Sequence, residues 1–273
     1  MFEELYEPLP DPARYWSKLG IEAPQTCSRK ELDRIIFAHQ CAIPFENLDA
    51  CDFHVPVSLG VRDMFEKIVV GMRGGYCFEL NALFAALLAD AGFEVVSCFA
   101  RSLKDRGFIQ PVAHRGTIVT IDGQKLFCDV GYGGPMPPCA LPLEDGVEAA
   151  ACGQVFCIER VDGLWWRMLY CGREQARRDE PEPVLAFMDA AQHEVDFVAL
   201  SHYCATHPTS IFTRQRMINR RTLDGSVSIT ADRFTKTTKD GKKQRTIASD
   251  EEFCVLLEKH FGIELPEGAF AGQ

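Results

Sequence analysis

Cys77 lies in the run Arg73-Gly74-Gly75-Tyr76-Cys77-Phe78-Glu79-Leu80-Asn81, where a glycine-rich turn gives way to a helical pattern. Leu80, Leu83, Phe84, Leu87 and Leu88 recur at three- and four-residue steps, and Gly92 stands where a glycine cap is expected. A cysteine in the first turn meets unpaired backbone N–H groups and the positive end of the helix dipole, which favour the nucleophilic thiolate. The paired glycines carry no Cβ, so the turn can be sharp and a substrate can approach the backbone. Such a thiol needs a base, and the base needs a group to orient it. His114 is the histidine that a hairpin places beside a carboxylate. If Asp122-Gly123 is a two-residue turn, 121 faces 124 and 114 faces 131, so Asp129 lies on the same sheet face at a diagonal spacing of roughly 7–8 Å.

These groups must be positioned by three kinds of segment. Asp11-Pro12 and Gly20 bracket a short amphipathic helix, and Ser28 with Glu31 forms a capping box for a second, which Pro44 ends. Ile43-Pro44-Phe45-Glu46-Asn47-Leu48-Asp49 reads as a turn, and a third helix from about Ser58 buries Val61, Phe65 and Ile68. The first ninety residues therefore read as a helical bundle. After Gly92 the period shortens. Strands are expected at Glu94 to Ala100, Gly116 to Ile121 and Lys125 to Val130, then at Gln154 to Val161 and Leu164 to Tyr170 around Asp162-Gly163. The polar segment Arg173 to Pro183 reads as an exposed connection. Asp196 to Ile211 is a strand or short helix entering a loop. Hairpins follow at Asp224-Gly225 and Asp240-Gly241, and a last helix runs from Ser249 to Gly262.

With 273 residues, 47% hydrophobic and 25% charged, the chain has the composition of a soluble globular protein. Its net charge of -10 repels nucleic acid and anionic membranes, so neither is an expected partner. The acidic start lacks the basic n-region of a secretory signal, and no segment is apolar long enough to span a bilayer. A cytoplasmic protein is expected, with its twelve cysteines reduced. No Cys-x-x-Cys pair occurs, and no metal site is expected.

The Cys77 run, taken with Ile43-Pro44-Phe45-Glu46-Asn47-Leu48, His114, Asp129-Val130-Gly131-Tyr132-Gly133-Gly134 and His207-Pro208-Thr209-Ser210-Ile211-Phe212, resembles the arylamine N-acetyltransferases. The resemblance implies a papain-like triad of Cys77, His114 and Asp129 in an α+β protein: an N-terminal helical bundle (1–92), a central antiparallel β-barrel (93–195) and a C-terminal α/β lid (196–273). It implies acetyl-CoA as co-substrate, an acetyl-cysteine intermediate, and an arylamine, arylhydrazine or arylhydroxylamine as acceptor. Phe45, Phe78, Tyr132 and Phe212 would line the acceptor pocket. Thr206, Ser210, Gly133 and Gly134 would contact CoA, and the protein would be a monomer or homodimer. Tyr132 stands where bacterial relatives often carry phenylalanine, so its hydroxyl is expected to favour acceptors with a polar ring substituent. Arg73, Glu79 and Asn81 read as scaffolding of the loop, with Arg73 paired to a carboxylate. Lys236, Lys239, Lys242, Lys243 and Arg245 read as a solvated hairpin or as an attractor of CoA phosphates.

The same order of nucleophile, base and aspartate occurs in papain-like proteases and transglutaminases. Within the resembled family, an amide synthase using a longer acyl thioester is a further alternative. From another class, a thiol sensor would use the cysteines without acyl transfer.

Overall fold

Asp11 accepts a hydrogen bond from the Arg14 N–H at 2.9 Å, and Pro12 fills the first helical position, so α1 (Pro12–Leu19) forms where the capping residues predict it. Ser28 caps α2 (Arg29–Ala42) in the same way. The computed structural model describes residues 1–103, 110–134, 136–266 and 269–270. The stretch expected to be only a turn contains a short helix, α3 (Leu48–Cys51). α4 (Val61–Phe65) runs into a π-helical segment at Glu66–Val70 and buries Val61, Phe65 and Ile68 as their spacing predicts. α5 (Cys77–Asp90) is apolar nearly all round and is buried on most of its surface. The nucleophile candidate thus stands at the head of the innermost helix.

Buried beside α5, His39 of α2 is 0% exposed, with its ring on Phe84 at 5.3 Å and its Nε2 2.9 Å from the Tyr15 hydroxyl. Burial, with Lys18 adding to it, pushes its pKa down to about 3, so it stays neutral in the fold and charges in the unfolded chain near pH 6.5. The unfolded state then binds the extra proton between those values, and stability falls as pH drops through that window. The expected loss from this group is about 2 kcal/mol by pH 5, at about 1.4 kcal/mol per pH unit. Urea unfolding at pH 7.5 and pH 5 should show the gap narrowing by that amount in His39→Gln.

The middle of the chain forms one antiparallel sheet of β1 (Glu94–Ser102), β2 (His114–Ile121), β3 (Gln124–Cys128), β4 (Leu141–Pro142), β5 (Glu148–Ala151), β6 (Gln154–Arg160), β7 (Trp165–Arg173) and β8 (Ala176–Met188). Its order is β4-β3-β2-β1-β8-β7-β6-β5. The sheet curls into a nearly closed barrel: β4 comes up to β6, and the Gly146 N–H reaches the Ile158 carbonyl at 2.9 Å. Phe127 and Phe187 stack at 3.9 Å in its interior, among Ile118, Trp166, Met168 and Leu185. The Asp122-Gly123 turn gives the predicted register, with Ile121 opposite Gln124.

The segment Arg173 to Pro183 is a correction: it is no loose connection but the tip and outgoing half of the β7–β8 ribbon. Residues 176 to 181 are exposed and, among the described residues, β8 pairs over this length with β7 alone; β1 pairs with it at Ala100 to Ser102, opposite Phe187 to Leu185. Pro181 and Pro183 fall on this stretch, and bulges near Leu169 and Gly172 absorb the irregular register with β7.

The remaining chain begins with α6 (Asp196–Thr206), which resolves the strand-or-helix ambiguity as helix, and α7 (Ile211–Arg214). Next comes a meander of β9 (Met217–Thr222), β10 (Gly225–Thr230), β11 (Arg233–Thr238) and β12 (Gly241–Thr246). α8 (Asp250–Phe261), capped by Ser249 and closed by Gly262, packs Phe253, Leu256, Leu257 and Phe261 on Ile218, Val227, Ile229 and Phe234. The motif at 44–47 ties this sheet to the rest. Phe45 exchanges backbone hydrogen bonds with Asn219 at 2.8 and 3.0 Å, and the Glu46 N–H donates to the Gly75 carbonyl at 2.9 Å. Asn47 donates to the Phe212 and Gln215 carbonyls and accepts from the Met217 N–H. Among the described residues, no helix is long and apolar enough to cross a membrane.

Candidate active site

The loop that presents Cys77 is fixed by buried charge. Arg73 pairs with Glu46 at 2.7 Å and Asp49 at 2.8 Å, and Lys67 pairs with Asp49 and Glu79 at 2.7 Å each. Burial alone would lower Lys67; Glu79, Glu46 and Asp49 outweigh it and raise its pKa above the ordinary value. The other Glu79 oxygen accepts the Tyr76 N–H at 3.0 Å, satisfying a free donor at the helix start. An ideal Cβ on Gly74 would lie 2.1 Å from the Pro44 carbonyl oxygen, so the turn closes only with glycine there. Arg73→Met leaves the fully buried Glu46 carboxylate without its principal partner. The expected destabilisation is about 3–5 kcal/mol, read by urea unfolding.

Cys77 is 1% exposed, and its Sγ lies 4.0 Å from the Ala113 carbonyl, one residue before His114. His114 Nε2 is 2.6 Å from Asp129 Oδ2, and both residues are buried. The other carboxylate oxygen accepts from Asn81 Nδ2 at 3.0 Å and from the Gly131 N–H at 2.8 Å. With donors on both oxygens, the carboxylate serves as an acceptor and the shared proton resides on Nε2. Nδ1 is then the ring nitrogen that can accept a proton.

Burial and the helix end act on the Cys77 thiol in opposite senses. Burial pushes the Cys77 thiol well above its ordinary value, Cys204 and Asp129 add to this, and the Arg115 and Phe78 N–H groups pull only partly back. Desolvation of a charged sulfur outweighs the end of the helix dipole here. The helix end alone therefore does not ionise Cys77, and a base beside it is needed.

Tyr132 is held from the barrel side. Its hydroxyl donates to the Val184 carbonyl at 3.0 Å and lies 2.9 Å from Ser102 Oγ, which anchors it to the barrel. Its ring meets His114 edge-on, with centroids 5.5 Å apart at 89°. Phe45 and Phe212 lie 6.4 Å apart, and an ideal Cβ on Gly133 would come within 3.1 Å of the Phe45 ring. Phe78 is 0% exposed and packs on Tyr76 and Phe197, inside the helical core. Gly133 and Gly134 open onto a cleft of about 1220 Å³ between the barrel and the polar face of the second sheet, lined also by Asn219, Arg221, Thr235 and Lys242. Thr206 and Ser210 are used locally: Thr206 donates to the His202 carbonyl, and Ser210 donates to Cys204 and accepts from the Phe212 N–H. In the basic stretch, Arg245 pairs with Glu252, and Lys239 joins Lys242 on the cleft wall.

Two neighbours of the site were underread in the sequence. Asn81 is polar on a helix otherwise apolar around it, four residues after Cys77, and that spacing was the available signal. Gln40 donates to the Asp129 carbonyl at 3.0 Å and accepts from Arg221 at 2.7 Å; a polar residue late in an amphipathic helix gives no such cue.

Residues 29–270 match the N-acetyltransferase family model. The chain is 27% identical over 261 residues to the arylamine N-acetyltransferase / N-hydroxyarylamine O-acetyltransferase of Salmonella typhimurium, covering 91% of this chain and 87% of that one. The solved arylamine N-acetyltransferase of M. tuberculosis superposes with a TM-score of 0.87 at 27% identity, over 95% of this chain and 98% of the other. That of Mycobacterium marinum, solved in complex with CoA, gives 0.84 at 26% identity over 93% of each. The fold and these matches define an acyltransferase. The chain belongs to the arylamine N-acetyltransferase family.

Proposed function

We propose that this protein transfers an acetyl group from acetyl-CoA to the nitrogen of arylamines and arylhydrazines, or to the oxygen of arylhydroxylamines, through an acetyl-Cys77 intermediate. The observation that carries the reading is the buried His114–Asp129 pair at 2.6 Å, one residue along from the carbonyl that Cys77 touches. Family membership and the CoA complex of a relative support the donor.

The residues divide the work as follows. His114 Nδ1 takes the Cys77 proton as sulfur attacks the thioester carbonyl, and the imidazolium is stabilised by anionic Asp129. The tetrahedral intermediate collapses, the C–S bond to CoA breaks, and His114 returns the proton to the departing thiolate. One thioester replaces another, so the step is close to thermoneutral. The acceptor nitrogen then attacks acetyl-Cys77, His114 takes its proton, and the Cys77 sulfur leaves and is reprotonated. The Cys77 N–H, at the first position of α5 and without an intrahelical acceptor, is the candidate oxyanion donor. Phe45, Phe78, Tyr132 and Phe212 are proposed as the aromatic surroundings of the acceptor, with Phe78 and Tyr132 acting from behind. Gly133 and Gly134 lead from this point to the cleft, which supports them as CoA neighbours more than the locally bonded Thr206 and Ser210.

In this reading, 1–92 supplies the nucleophile, 93–195 the base and aspartate, and 196–273 the covering wall. The protein works in the cytoplasm as a monomer or homodimer and needs no metal. Initial rates with both substrates varied provide the test. Parallel double-reciprocal lines are expected for a shuttle through acetyl-cysteine, whereas intersecting lines would require both substrates bound at once and would defeat the proposal.

A further inference from the structure

We propose that Asn81 is a positioning residue for the reaction, holding Asp129 in the orientation that aligns His114 and setting the gap between the nucleophile's helix and the strand end that carries the acid. The inference rests on the triad reading above and adds a residue to it. Asn81 follows Cys77 by four residues, so the two side chains leave the same face of α5. It is 0% exposed, and its amide is fully used. Nδ2 donates to Asp129 Oδ1 at 3.0 Å and to the Arg115 carbonyl at 2.6 Å, while Oδ1 accepts the Val130 N–H at 3.0 Å. One side chain therefore grips the residues following both His114 and Asp129, as well as the aspartate itself.

The carboxylate geometry shows what this grip achieves. Asp129 Oδ1 is occupied by Asn81 and the Gly131 N–H, which leaves Oδ2 to face His114 Nε2 at 2.6 Å. Without the amide donor, Oδ1 keeps a single partner and the carboxylate can rotate about its last bond, taking the imidazole with it. The spacing is equally constrained. An ideal Cβ on Gly131 would sit 3.0 Å from Cys77 Cα and 3.1 Å from Asn81 Nδ2, so the backbone after Asp129 rests directly on this face of the helix. An apolar residue would take a partner from each of three buried polar groups, and a carboxylate would face Asp129 as a like charge.

The test uses the full-length chain with Asn81→Ala and Asn81→Ser, the second guarding against a failure of the first to fold. Three quantities are read: single-turnover acetylation of Cys77 per folded molecule, the KM for acetyl-CoA, and the far-downfield proton resonance of the His114–Asp129 hydrogen bond. His114→Gln and Asp129→Asn assign that resonance by removing it. The expected result is acetylation slowed about 10–100-fold with KM changed less than about twofold, the resonance moved upfield, and part of the rate regained in the serine variant. A lower melting temperature with rate and resonance unaltered would make Asn81 a packing residue and overturn the proposal. If Asp129→Asn also left the rate unaltered, the triad reading itself would fall, which separates the two failures.

Discussion

Replacing Cys77 with serine should leave a folded protein that releases CoA from acetyl-CoA at least about 10⁴-fold more slowly, whatever the acceptor. The change removes a polarisable sulfur from the head of α5 and puts in its place an oxygen far harder to deprotonate. The site offers little compensation, because burial already pushes even the Cys77 thiol well above its ordinary pKa. An acetyl group that did reach serine would be an oxygen ester, a poorer donor to an aromatic amine than a thioester. Cys204, the cysteine with the largest influence on Cys77, is no ready substitute, being itself buried and raised to about 12. Near-wild-type melting with lost CoA release, followed by a thiol reagent that detects free CoA, is the expected pair of observations.

Asp129→Asn should lower kcat by roughly 10⁴-fold while binding of acetyl-CoA persists. The local hydrogen bonds dictate the reason. Asn81 and the Gly131 N–H both donate to the inner carboxylate oxygen, so the carbonyl oxygen of an asparagine must take that place. Its NH2 group then points at His114 Nε2 and turns that nitrogen into an acceptor. The proton moves to Nδ1, the nitrogen that has to receive hydrogen from Cys77, and the imidazole is held in the unproductive tautomer. Acetylation and deacetylation should both suffer, since each passes its proton through the same nitrogen. Comparable pre-steady-state losses in the two half-reactions would bear this out; an effect confined to KM would not.

Local rules carried much of this fold. The caps at Asp11, Ser28 and Ser249 are short-range devices, and each starts its helix where the residues say. The Asp122-Gly123 turn fixes a register, so the His114–Asp129 spacing is legible in the sequence. What stayed hidden depends on partners distant in sequence. Arg173 to Pro183 looked like a loop because a ribbon bathed on both faces has no apolar alternation to show. The thiolate expectation weighed the helix dipole but not the burial supplied by chains packed from elsewhere. The bonds from the Tyr132 hydroxyl to Ser102 and Val184 likewise reach partners far along the chain. The buried charge set around Glu46, Lys67 and Arg73 joins segments whose adjacency no periodicity reveals.

The most direct measurement is intact-protein mass spectrometry after mixing with acetyl-CoA in the absence of acceptor, followed by peptide mapping. One added acetyl group, located on Cys77 and discharged by an aryl hydrazine, is the expected result. An unmodified protein, or an acetyl group on another residue that the hydrazine cannot remove, would contradict transfer through Cys77.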